Sequence, residues 1–134
     1  MSVTAAKLAT APDDLNAVAS QANQDAVTVT QEGDVITVSG SLDDLEEFAS
    51  TNPSQGTGKW IALDLNTGLN SIVGARWGDY VMTQADADEA ASVGLGAGHI
   101  VFWFKAEEGY SRDITISSGS KSITITVEFE NTGA

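Results

Sequence analysis

The chain has no cysteine, only two prolines, a single histidine and six lysines and arginines against nineteen acids in 134 residues. Without cysteine there is no disulfide framework, no thiolate metal site and no thiol nucleophile. One histidine excludes a histidine-clustered zinc centre. The net charge of −13 repels phosphate backbones and anionic headgroups, which disfavours nucleic acid as a partner and electrostatic docking on membranes. Charged partners of such a surface are basic, or bring cations. No run approaches the roughly 18–20 apolar residues that cross a bilayer, so no membrane insertion is expected. The opening residues, Met1 to Leu8, lack the basic and then apolar pattern of a secretory signal. The expectation is cytoplasmic synthesis, with any arrival on a virion or cell surface by another route.

What is present is a β pattern. The length suits one domain with its own core. Val27-Thr28-Val29-Thr30 and Val35-Ile36-Thr37-Val38 are β-branched runs around Gln31-Glu32-Gly33-Asp34, which predicts a hairpin. Ile61, Leu63 and Leu65 alternate. Ile72 to Trp77 and Tyr80 to Met82 read as two short strands about Gly78-Asp79. His99 to Phe104 is apolar on both faces, the mark of a strand that is covered on both sides or meets a partner on one. Ile114 to Ser117 and Ser122 to Phe129 form a closing hairpin, with Ile123, Ile125, Val127 and Phe129 inward.

Two segments carry helix-start chemistry. Ser41-Leu42-Asp43-Asp44 and Thr83-Gln84-Ala85-Asp86 each place a hydroxyl three residues before an acid, as in a capping box. Leu42, Leu45 and Phe48 fall on one face of the first, and Gly94 ends the second. Gly94-x-Gly96-x-Gly98 precedes a strand instead of opening a helix, so it reads as a supple connector and not as a phosphate loop. The expected organisation is an N-terminal arm or short helix over residues 1–26, opened near Pro12-Asp13-Asp14, and a body over residues 27–134. The body holds about eight short strands at roughly 8–12-residue spacing, bridged by two short helices.

Candidate chemistry is sparse. There is no Gly-x-Ser-x-Gly elbow, and His99 reads as a strand-edge histidine. Asp13-Asp14, Asp43-Asp44, Glu46-Glu47 and Glu107-Glu108 could in principle pair for hydrolysis, but acids in helix first turns and exposed ends are expected for dipole and solubility reasons. The cluster at Asp86, Asp88 and Glu89 lacks the spacing of a calcium loop. Lys59, Lys105, Lys121 and Asn131 are the residue types of a Lys–Asn cross-link, but no spacing demands one. The reading is therefore no catalytic residue, no metal ligand and no cofactor.

The aromatics are the candidate binding residues: Trp60, Trp77, Tyr80 and Trp103. Trp60 lies opposite the Ile61/Leu63/Leu65 set, and Trp103 opposite Ile100/Phe102/Phe104. If those sets face the core, both indoles face outward or lie under a helix.

Trp60-Ile61-Ala62-Leu63-Asp64-Leu65, Ile100-Val101-Phe102-Trp103-Phe104 and Ser122-Ile123-Thr124-Ile125-Thr126-Val127 together resemble an immunoglobulin-like β-sandwich across about residues 27–130, without the cysteines of antibody domains. The texture is similar to phage decoration proteins and bacterial surface-presented domains. The resemblance implies a mainly β, immunoglobulin-like antiparallel sandwich that acts as a non-catalytic structural or interaction protein. It would sit on a capsid or cell surface, meet a protein assembly partner through residues 1–26, and could form a homo-oligomer. The alternatives are a carbohydrate-binding module that stacks a glycan on exposed aromatics, and a carboxylate-based hydrolase.

Overall fold

The structure, a computed structural model, describes residues 1–9, 15, 27–51 and 60–133, and for Lys7, Phe48, Ala49 and Thr51 the backbone alone. The described residues form nine strands and two helices. In chain order these are β1 (Ser2–Ala9), β2 (Thr28–Glu32), β3 (Val35–Gly40), α1 (Leu42–Thr51), β4 (Trp60–Asn66), β5 (Arg76–Trp77), β6 (Tyr80–Val81), α2 (Gln84–Ser92), β7 (His99–Lys105), β8 (Ser111–Ser118) and β9 (Lys121–Asn131). A three-stranded sheet runs β1-β4-β7 and a six-stranded sheet runs β2-β3-β9-β8-β5-β6. The fold is mainly β and sandwich-like.

One apolar core joins the inner faces of both sheets. The small sheet contributes Ala6, Leu8, Ile61, Leu63, Leu65, Ile100, Phe102 and Phe104; the large one contributes Ile36, Val38, Ile114, Ile116, Ile125, Val127 and Phe129. Each large side chain of this set stabilises the fold by about 1.5–3 kcal/mol on leaving water. The alternation expected of the last strand holds for Ile125, Val127 and Phe129, which are buried, while Ile123 is half-buried. A row of rings runs through the core: Trp77 to Phe102 at 5.8 Å, Phe102 to Phe104 at 5.9 Å, and Phe104 to Tyr110 at 5.0 Å. Burial pushes the Tyr110 hydroxyl above its ordinary value, and the nearby Arg112 works against that rise.

The expected hairpins form. β2 and β3 pair across Gly33-Asp34, and β8 and β9 pair across Gly119-Ser120. Both capped helices form as well. Ser41 Oγ accepts from Asp44 N at 3.3 Å, and Leu42 N donates to Asn131 Oδ1 at 3.3 Å, which ties the start of α1 to the end of β9. Leu45 is buried and Leu42 packs against the core.

Several sequence expectations need correction. Residues 1–26 are not an arm throughout: Ser2–Ala9 is a strand, antiparallel to β4, with Ala6, Leu8 and Ala9 buried. The Pro12-Asp13-Asp14 helix start lies outside the described residues. The sheets are not wholly antiparallel, because β3 runs parallel to β9, from Val35 opposite Thr126 to Gly40 opposite Asn131. The strands expected at 72–77 and 80–82 shrink to two residues each, Arg76–Trp77 and Tyr80–Val81. The apolar strand β7 pairs only with β4 among the described strands. Its second face is therefore the outer face of a sheet, where His99, Val101 and Trp103 are half-buried.

Candidate functional site

The segment from Ile72 to Trp103 crosses from one sheet to the other. It makes the β5–β6 hairpin at the edge of the large sheet, then α2, then β7 at the edge of the small sheet. The hairpin turns tightly because Gly78 supplies the left-handed conformation, φ 59°, between Trp77 and its partner Tyr80. Helix α2 starts on a complete capping box. Thr83 Oγ1 accepts from Asp86 N, and the Asp86 carboxylate accepts from Thr83 N at 2.8 Å. The helix ends in a Schellman motif: Leu95 N donates to Ala90 O at 3.1 Å and Gly94 N to Ala91 O at 3.0 Å, with Gly94 at φ 85°.

These elements, together with Leu15, line an open cavity of about 560 Å³ that includes Trp77, Tyr80, Asp86, Glu89, His99 and Trp103. That volume lies within the range of ordinary ligand sites. Three of the four expected binding residues are thus brought together. Trp77 is half-buried and leans on Phe102, Tyr80 is 55% exposed, and Trp103 is half-buried. Trp60 does not line the cavity. It stands opposite Lys105 on the outer face of the small sheet, whereas Trp103 stands opposite Ala62, and both indoles pack on a satellite cluster centred on Ala9 and Ala62. Leu95, just beyond α2, joins that cluster, so neither indole is on an open flat face.

The polar side chains at the cavity were not expected as a group. One oxygen of Asp86, Oδ2, accepts from the Tyr80 hydroxyl at 2.7 Å, from Thr83 N at 2.8 Å and from Thr83 Oγ1 at 3.2 Å. The Thr83 backbone donor, and after it the Tyr80 hydroxyl, hold the Asp86 carboxyl below the usual carboxylate range. The same bond raises the Tyr80 hydroxyl above its ordinary value. The helix cap thereby locks Tyr80 against α2.

His99 is more than a strand-edge residue. Its Nδ1 lies 2.8 Å from Oδ1 of Asp64, a carboxylate that is 5% exposed and sits between Leu63 and Leu65 on β4. Gly96 passes so close to the ring that a side-chain carbon there would meet the imidazole. The connector at residues 94–98 is correspondingly less supple than its glycines suggest. Gly98 is pressed against the carbonyl of Leu69, and its own carbonyl accepts from Thr67 N at 2.9 Å and Thr67 Oγ1 at 2.6 Å. A signal for Asp64 existed in the sequence: it is the only acid in the strand and is flanked by Leu63 and Leu65, in the same alternation phase as Trp60 and Ala62.

No known protein family, curated protein or solved structure matches the chain. Among the described residues, no three His, Asp or Glu side chains are grouped to hold a metal ion, and no helix is long and apolar enough to cross a membrane.

Proposed function

We propose that this chain is a non-catalytic binding module, an immunoglobulin-like sandwich presented on a virion or cell surface, which engages a protein partner through the cleft formed by the β5–β6 hairpin, α2 and β7. The observation that carries the reading is the convergence of Trp77, Tyr80 and Trp103 on one open cavity. Binding surfaces concentrate their affinity in a few aromatic anchors set in preformed pockets. The cleft is preformed here: Trp77 is braced by the core ring row and Tyr80 by Asp86.

The acids fit the same reading. Asp86 is engaged in the cap of α2, Asp43 and Asp44 stand in the first turn of α1, and Asp64 faces His99. Each has a structural partner or a dipole to complement. Within the expected anchor at residues 1–26, Ser2–Ala9 is a strand of the small sheet.

A glycan is the second reading, favoured by the exposure of Tyr80 beside two indoles, since sugars stack on aromatic faces. The experiment is co-purification from the native source with the wild-type chain and with the Tyr80→Ala/Trp103→Ala variant, folding being checked by circular dichroism. A protein retained by the wild type and lost by the folded variant is the expected result. Equal retention by both would remove the cleft from the function, and a glycan in place of a protein would establish the second reading.

A further inference from the structure

We propose that the cleft accepts a cationic side chain, arginine or lysine, presented by a basic segment of the partner. This rests on the cleft being the binding surface and names the chemistry of its occupant. Two observations combine. Three aromatic side chains line the cavity, and the wall formed by α2 adds the carboxylates of Asp86 and Glu89. No lysine or arginine is among the described residues lining it.

A cation over an aromatic face gains from the ring quadrupole, and nearby carboxylates add to that gain. Asp86 uses one oxygen, Oδ2, for Tyr80 and Thr83, so its charge is fixed in place at the cavity wall. The hydrogen bonds that fix it also keep it ionised. The rest of the chain reinforces the sign. At −13 overall, its field draws a basic segment toward the cleft and repels an anionic one. His99 lines the cavity too, but its Nδ1 is turned to Asp64.

A guanidinium suits the site better than an ammonium, because its plane can stack on an indole while its edge meets a carboxylate. The occupant would therefore span the cavity, with its aliphatic stem on the aromatic faces and its head near Asp86 and Glu89. A neutral sugar could use the rings but would leave the carboxylate charge unanswered.

The test follows the indole N–H signals of Trp77 and Trp103 by ¹H–¹⁵N NMR on the full chain, with Trp60 as the indole outside the cleft. The probes are acetyl-Gly-Arg-Gly-amide, the same peptide with citrulline for arginine, and maltotetraose with chitotetraose as neutral sugars. The arginine peptide should shift Trp77 and Trp103 saturably and leave Trp60 unmoved. The citrulline peptide should bind about tenfold more weakly. Glu89→Gln, an exposed helix position, should weaken the arginine peptide about threefold. Equal binding of arginine and citrulline, or no effect of Glu89→Gln, overturns the cationic assignment. Saturation by a sugar alone overturns it as well, while leaving the cleft as the binding surface. If no probe moves the two indoles, both the assignment and the cleft reading fall.

Discussion

His99 Nδ1 and Asp64 Oδ1 lie 2.8 Å apart on adjacent strands, β7 and β4, on the outer side of the small sheet. A carboxylate only accepts, so Nδ1 is the donor and Nε2 is the remaining acceptor of the neutral ring. Long-range ¹H–¹⁵N spectra of the imidazole should show the Nδ1–H form. Asp64→Ala should release the ring from that tautomer and lower stability by about 1–3 kcal/mol in urea unfolding, since it strips a partner from a half-buried donor. The double variant Asp64→Ala/His99→Ala should cost less than the two single changes added together. Strict additivity would mean that the contact contributes nothing.

The junction of Thr67 with Gly98 gives a second expectation. Any side chain at position 98 must push into the Leu69 carbonyl, which belongs to the backbone and cannot swing away. Gly98→Ala should therefore destabilise by about 1–3 kcal/mol, as overpacked sites do. Gly96→Ala should cost less, because what it meets is the His99 ring, a side chain. Comparable thermal midpoints for Gly98→Ala and the wild type would contradict the close approach.

The cap of α2 predicts a pH dependence. The Asp86 carboxyl is depressed in the folded chain by Thr83 N and then by the Tyr80 hydroxyl. A depressed carboxyl adds stability that is complete above its unfolded value, about 3.9, and is lost as pH falls through the lower folded value. The group is only half-buried and is screened by solvent, so this contribution is less than about 1 kcal/mol. Asp86→Asn should flatten the acid limb of a stability–pH curve below about pH 4 and leave its neutral shape alone. Thr83→Ala, which removes the hydroxyl half of the box, should cost about 1 kcal/mol at neutral pH.

The first strand sets a fourth expectation. A chain lacking residues 1–9 loses Leu8 and Ala6 from the core and exposes one edge of β4, whose Ile61–Leu65 are all buried. The loss should exceed about 3 kcal/mol, from the Leu8 side chain and the unpaired strand together. Wild-type unfolding of the truncated chain would show that β1 is a dispensable appendage.

How much of this was legible in the sequence depended on distance along the chain. Hairpins such as β8–β9 and caps such as Thr83–Asp86 are local, so their residue types announce them. β1 was missed for a physical reason. The register slips between Val3 and Ala5, so the core-facing set is Val3, Ala6 and Leu8, and strict alternation is broken just where it would have been read. The parallel pairing of β3 with β9 joins segments far apart, and no nearby turn encodes it. The site divides in the same way. Trp77 and Tyr80 share a two-residue turn, but their meeting with Trp103 depends on two sheets coming together. Asp86 was read as a cap and is one; its second position, at the cavity wall, is a tertiary fact.

The place of Ser2–Ala9 also has a consequence during synthesis. This strand leaves the ribosome before β4, and the residue opposite Ser2 is Asn66, so at about 5–20 residues per second it waits seconds for its partner. Val35 waits longer still, for Thr126. In that interval a sticky N-terminal strand would find wrong neighbours on other nascent chains. Ser2–Ala9 holds three alanines and a lysine and only two larger aliphatic residues, Val3 and Leu8. A strand so poor in large aliphatic side chains offers wrong neighbours little apolar surface while it waits.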